Sequence, residues 1–292
     1  MNNAGHPRAP HYSQCRTATP PHCRTAAPPR RRAAKAPAAR HLVAALLLFP
    51  APAPAAAQER PAGGFYGGFS VGVELADTDY EKGVGLNSPP SYEADDDRET
   101  GALHSARALF GYRHWFDSFC FADAEVDAGV YSNTRVDGRL SGTGTSRATN
   151  NVFPGDWSLE KNRGASLTAR FGIRADAIGM EYGTNTALYL LAGVGWLDLT
   201  MQAGFDNRPP PAGTPAVVGV SRHGADVQPW SVGIGVESGL AAGRAGLELR
   251  RTEYDFSWSG SGTGAAGDPR TDHDVDVVEW GVYLRYVRPF GL

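Results

Sequence analysis

FCFADAEVDAGVY, residues 119–131, sorts by parity. Ala122, Ala124, Val126, Ala128 and Val130 fall on one side, and Asp123, Glu125 and Asp127 on the other. Side chains alternate faces along an extended chain, so this stretch is a strand with one apolar face and one acidic face. A strand of that kind suits a sheet that meets an apolar medium on one side and a polar interior on the other.

The same alternation recurs on either side of it. Upstream, Phe65, Phe69, Val71, Val73 and Leu75 oppose Tyr66, Gly68, Ser70, Gly72 and Glu74, which predicts a first strand over Gly64–Asp77. Ala106, Ala108, Phe110 and Tyr112 oppose Ser105, Arg107, Gly111 and Arg113 in a second, Ala102–Trp115, joined by a tight turn at Asp117-Ser118 to the third, the stretch quoted above. Downstream, Leu167, Ala169, Phe171 and Ile173 oppose Ser166, Thr168, Arg170 and Arg174 over Gly164–Ala175. Ala187–Met201 sets Leu188, Leu190, Ala192, Val194 and Trp196 against Tyr189, Gly193 and Gly195. Pro229–Gly239, Arg244–Phe256 and a final strand ending the chain complete a set of about eight. Connections alternate between long and short. The long ones are the polar stretch after Asp77 with Pro89-Pro90 and Asp95–Asp97, Asn133–Asn162, 202–228 with Pro209–Pro211, and Ser257 to about Thr271. This is the rhythm of an antiparallel up-and-down transmembrane barrel with short periplasmic turns and long extracellular loops. A soluble antiparallel sandwich or lipocalin-like barrel also alternates. Its water-facing side would carry lysines, and the expected strands here carry almost none.

The polar faces collect a defined set of charges: Glu74, Asp123, Glu125, Asp127, Glu237, Glu248 and Glu279 against Arg107, Arg113, Arg170, Arg174, Arg250 and Arg285. A barrel of about eight strands is only wide enough for its own side chains. Buried charges there must pair, and the planar guanidinium fork suits carboxylates. These residues are therefore expected to fill the lumen as a structural network, with a gated polar path for ions as the functional alternative. Tyr112, Trp115, Trp196, Trp230, Trp280 and Tyr286 are expected on the outer face as interfacial girdles.

Taken together, residues 63–292 resemble the eight-stranded outer-membrane barrels of the opacity-protein and OmpA-like class, also called porin-family proteins. The resemblance rests on Gly64-Phe65-Tyr66-Gly67-Gly68, Gly111-Tyr112-Arg113, Leu191-Ala192-Gly193-Val194-Gly195-Trp196, Gly233-Ile234-Gly235-Val236-Glu237 and the ending Tyr283-Leu284-Arg285-Tyr286-Val287-Arg288-Pro289-Phe290. It implies an outer-membrane location in a Gram-negative bacterium and contact with lipid and lipopolysaccharide. It also implies delivery by the barrel-assembly machinery through a C-terminal aromatic signal, here Tyr286 and Phe290, followed by Gly291 and Leu292. Members of the class act as envelope anchors, adhesins or stabilisers, with loops that touch host or cell-surface ligands, and the resemblance implies no shared catalytic chemistry and no cofactor.

The N-terminus supports export. Arg30, Arg31, Arg32, Lys35 and Arg40 precede the apolar run Leu42–Phe49, and Ala55-Ala56-Ala57 precedes Gln58. This predicts a leader with a Sec signal over 1–57, cut near Ala57/Gln58, a short segment 58–63, and a barrel over 64–292. The apolar run is far short of the roughly 20 residues of a spanning helix. Eight of the 28 bases and none of the 31 acids lie before residue 58, which leaves 58–292 with a formal charge of −11. Such a balance argues against nucleic acid as a partner. Only Cys120 follows the leader, so neither an internal disulfide nor a cysteine metal cluster can form.

Other chemistry is thin. Asp77, Asp79 and Glu81 before Gly83 fail the EF-hand spacing, since Lys82 stands where glycine is needed. Asp272, Asp274 and Asp276 share a parity near the outer mouth, where sparse oxygen ligands would hold a divalent cation only weakly. Of His104, His114, His223 and His273, only His104 has a neighbouring serine, Ser105, and alternation sends the two to opposite faces. The expected function is thus non-catalytic, in envelope structure and surface contact. A narrow porin-like channel is the alternative, and a lipid-A-modifying enzyme is a further reading that lacks a recognisable catalytic set.

Overall fold

The computed structural model describes residues 63–87, 90–132, 135–140, 155–180, 185–206, 218–240, 242–261 and 270–290. The expected leader 1–57 lies outside them. Ten strands are present among the described residues: β1 Gly64–Asn87, β2 Pro90–Trp115, β3 Cys120–Tyr131, β4 Arg135–Leu140, β5 Gly155–Arg174, β6 Ala187–Asp206, β7 Val218–Val227, β8 Trp230–Leu240, β9 Gly243–Ser261 and β10 Arg270–Pro289. Eight of them close an antiparallel ring, β1-β2-β3-β5-β6-β8-β9-β10 and back to β1. The first and last strands meet from Tyr66↔Pro289 to Gly85↔Arg270, which closes the ring at the level of the apolar belt.

The apolar rows face outward. Phe69 is 56% exposed, Phe171 58%, Leu190 64% and Val194 61%. Over the same rungs Glu74, Arg113, Asp123, Glu125, Arg170 and Arg285 are buried inside. A chain in water would place these two sets the other way round, and a bilayer demands this arrangement. The short turns match expectation. The Asp117 carboxylate accepts the backbone N–H of Phe119 at 2.8 Å and of Cys120 at 2.6 Å. After β5, a single 3-10 turn, Ala175–Ile178, ends on Gly179 at φ 75°, a left-handed position that suits glycine.

The long connections depart from the expected loops. β1 continues ten residues past Asp77, β2 begins at Pro90, β4 and the first half of β5 occupy Asn133–Asn162, and β7 occupies much of 202–228. The reason is a reversal of polarity. Along β1 the outward residues change from Val71, Val73 and Leu75 to Asp77, Asp79 and Glu81, while the inward ones change from Ser70 and Glu74 to Ala76, Tyr80 and Val84. Along β6 the outward side passes from Trp196 to Asp198, and the inward side from Gly195 to Leu197, Leu199 and Met201. Beyond the level of Trp196, Trp230 and Trp280 the strands stand in water, so they obey the rule of a soluble sheet.

In that outer part the ring divides. β7 and the upper β9 (Tyr254 onward) each pair on one side only, as do β4 and the upper β2. Two four-stranded sheets result, β2-β1-β10-β9 and β4-β5-β6-β7. Between them lies an apolar core of Tyr80, Leu103, Val136, Leu140, Trp157, Leu159, Leu199, Met201, Tyr254, Val275 and Val277.

Candidate functional site

Among the described residues the lumen gathers buried ionisable groups in number. Its strands present Asp123, Glu125 and Asp127 from β3, Arg170 from β5, Glu237 from β8, Glu248 and Arg250 from β9, and Glu279 and Arg285 from β10. Near the short-turn end, Arg113 on β2 clasps Asp123 with both carboxylate oxygens, at 2.6 and 2.7 Å, and also pairs with Glu237. Its guanidinium lies 3.7 Å from the centre of the Phe121 ring. In the middle, Arg170 donates to Glu125 at 2.7 Å and to Glu248 at 2.9 Å. Arg285 donates to the other oxygen of Glu125, and Arg250 reaches Glu248 at 2.8 Å. Toward the outer end, Arg107 bridges Glu74 at 3.1 Å and Asp127 at 3.2 Å. Every one of these carboxylates has a cationic partner, as a dry narrow interior requires.

Two kinds of residue join this network beyond the charges that the sequence assigned to it. Lys161 is fully inside and donates to Glu74 at 2.6 Å and to Glu279 at 2.8 and 3.0 Å. It had fallen within an expected loop, and a bulge between Lys161 and Arg163 reverses the parity of β5. Counting by twos from Arg170 would therefore turn Lys161 outward. The second kind is tyrosine: the hydroxyl of Tyr66 donates to Glu125 at 3.0 Å, Tyr189 to Glu248 at 2.9 Å, Tyr254 to Glu279 at 2.7 Å and Tyr283 to Glu74 at 2.7 Å. Inward parity was the signal for them. The room comes from glycine: a Cβ on Gly72 would stand 2.3 Å from the Tyr283 ring, and one on Gly235 would stand 2.3 Å from Tyr189.

Two expected placements need correction. Arg174 is buried but apart from the central network; it holds Asp176 of the 3-10 turn and the carbonyl of Ser118, at the end of the barrel. Trp115 continues the inward face of Arg113 and packs on Phe121, with ring centres 5.0 Å apart, so it helps floor the lumen and is not a girdle residue. Arg113 and Trp115 are two residues apart on β2 and so share the inward face, which parity alone fixes. The remaining expected girdle residues stand outward: Tyr112, Trp196, Trp230 and Trp280 are exposed, and Tyr286 lies beside Phe69 with ring centres 6.0 Å apart. Arg163 and Arg251 sit over the Trp196 and Trp280 rings. Phe290 donates its N–H to the Phe65 carbonyl at 2.9 Å and stacks near Phe110.

The aspartates at the outer mouth are spread along β10. Asp272, Asp274 and Asp276 run along one strand, and among the described residues no group of three His, Cys, Asp or Glu side chains could hold a metal ion. His104 points outward and Ser105 inward, so the adjacent pair cannot act together. On the outer sheet β4-β5-β6-β7 an exterior groove of about 310 Å³ runs over Ser158, Gln202 and Gly204, between Arg135 and Arg139 on one side and Val218 and Val220 on the other. Its arginines pair with Asp137 and Asp156 in exposed contacts. Such pairs contribute little stability and leave the groups open to a ligand.

No family description matches the chain, and no curated protein is similar to it. Among solved structures it is similar to Ail, the attachment invasion locus protein of Yersinia pestis, at 13% identity and a TM-score of 0.30, over 77% of this chain and 99% of that one. It is similar to a FadL homologue of Pseudomonas aeruginosa at 9% identity and a TM-score of 0.24, over 78% and 91% of the two chains. A third is the outer membrane protease OmpT of Escherichia coli, at 8% identity and a TM-score of 0.23, over 78% and 99%. By its own closed ring of eight strands, its apolar belt and its ion-paired lumen, the chain has the fold of an outer-membrane β-barrel.

Proposed function

We propose that the protein is a non-catalytic structural and surface-interaction barrel of the outer membrane of a Gram-negative bacterium, delivered there after removal of residues 1–57. The observation that supports this reading is the balance of the lumen. Each of Glu74, Asp123, Glu125, Asp127, Glu237, Glu248 and Glu279 meets an arginine or lysine within 3.5 Å, and tyrosine hydroxyls take up remaining acceptors. An ion crossing this interior would have to break contacts that burial makes strong. The part that meets the outside is the pair of outer sheets with the Arg135–Val220 groove, and its ligands are host or neighbouring-cell molecules. Lipid and lipopolysaccharide surround the belt, and the assembly machinery reads the strand that ends at Phe290.

Recording in planar bilayers tests the reading. Purified protein, verified as folded by its heat-modifiable gel migration, is expected to give no steady unitary conductance. A defined conductance that changes in an Arg170→Gln variant would instead make the charged lumen a channel lining. Lipid-A mass profiles that differ with and without the protein would make it an enzyme.

A further inference from the structure

Lys82 and His273 face each other across the β1–β10 ladder. Both point into the outer core, where Lys82 is 1% exposed and His273 4%. Directly opposed side chains on one face of an antiparallel pair are near neighbours, and like charges there repel. On the next strand the indole of Trp258 lies flat against His273, with ring centres 4.2 Å apart and planes within 1°. His223 lies on Trp258 at 4.8 Å and 5°. His223 belongs to β7 and Trp258 to β9, the two strands that border the undivided gap between the outer sheets. Among the described residues no backbone ladder joins those strands, so side-chain packing spans the gap, and the stacked rings are part of it.

We infer that the outer end of the barrel is an acid-responsive cap, closed by the His223–Trp258–His273 stack beside Lys82 and parted along the β7–β9 gap as Lys82 and His273 take up protons.

The surroundings explain why protons oppose closure. From β1, the Tyr80 hydroxyl meets His273 Nδ1 at 2.7 Å. From β2, Asp95 stands directly opposite Lys82 on the same inward face and is half-buried, a carboxylate that favours the charged ammonium against burial, and from β6 the carbonyl of Gly204 accepts from Lys82 Nζ at 3.3 Å. From β5, Trp157 packs on Tyr80, and from β2 Asp97 accepts the Trp157 indole N–H at 2.8 Å. Burial, Lys82 and His223 disfavour a charge on His273, burial most of all, and together they outweigh Asp272, which favours it. Burial first, then Lys82, lowers His273 to about 4, and burial lowers Lys82 to about 7. Both groups thus bind protons more readily when the cap is open. The closing free energy declines as pH falls, through Lys82 between its ordinary value and about 7, and through His273 between about 6.5 and about 4. Over the histidine window the open-to-closed ratio is expected to rise by up to about 300-fold. Asp79 and Glu81 on the outward face of β1 are pushed up by partial burial and by neighbouring carboxylates, and for Asp79 the Arg98 guanidinium opposes the rise. Their protonation relieves repulsion within one sheet and does not act across the gap. An opened cap would present Leu199, Met201 and Val227 to the outside, so acid would turn a charged surface into an apolar one.

Spin labels at Arg222 on β7 and Ser257 on β9, in a Cys120→Ser full-length barrel in detergent, would read the gap by pulsed dipolar spectroscopy at about pH 7.5 and about pH 4.5. Acid is expected to lengthen and broaden the distance distribution in the otherwise native protein. In His273→Phe the distribution is expected to stay near its neutral form, with His273→Gln, which likewise cannot take up a proton in this range, as the second variant should the first fail to fold. A distance unmoved by acid in the native protein overturns the proposal. So does a variant that parts as fully as the native chain.

Discussion

At the level of single side chains, the interior is governed by pairing, and the bulge in β5 decides who takes part. Most lumen charges are legible from the sequence, because an inward charge on a lipid-facing strand has nowhere else to go. Lys161 is not legible, because the parity of β5 reverses at the bulge and the surrounding sequence has a loop's composition. Its position makes a sharp test. Lys161→Met removes the ammonium that Glu74 and Glu279 share, and the barrel is expected to lose about 3–5 kcal/mol, read as a lower urea midpoint in micelles. Arg163→Met, two residues on and outside, is expected to change stability by no more than about 0.5 kcal/mol. Equal losses in both variants would show that Lys161 is not a member of the buried network.

At the level of strands, the instructive feature is the reversal of polarity partway along β1, β6 and β10. The alternation itself runs unbroken through Asp79, Tyr80, Glu81 and Lys82. What changes is the meaning of each parity, so a reading that seeks greasy residues outside finds only a polar stretch and predicts a loop. β6 carries both regimes and allows a paired test. Val194→Arg, on the lipid side, is expected to cost about 2–4 kcal/mol if it lies near the bilayer midplane, measured by unfolding from vesicles. Leu199→Ala, buried in the outer core, is expected to cost about 2–5 kcal/mol in vesicles and in detergent alike. A loss for Leu199→Ala confined to vesicles would place that residue in lipid and erase the proposed water boundary.

Across the whole molecule, the ring, the belt and the polar lining were all readable in the sequence, since each follows from a two-residue period and the alternating connection lengths. The division into two outer sheets was not. It depends on where β3 gives way to β4 and β7 to β8, and a period of two carries no record of which strand a neighbour has left. The divided part also lacks the continuous ladder that guards the belt. Amide hydrogen exchange is therefore expected to be faster in β7 and in Tyr254–Ser261 than in the belt portions of β1 and β10, with the order checked by mass spectrometry of peptides. Uniform protection along β9 would contradict the open gap.

The join between β1 and β10 fixes when the molecule can be finished. Its partners lie far apart in the sequence, so completion waits until β10 has been made and delivered. Contacts so distant in sequence are reached late and slowly. Once made, they weld the cylinder along most of its height, and reopening means tearing many rungs together. Such a protein is expected to be slow to acquire and slower to lose its form, so that in harsh detergent its endurance is a matter of rate.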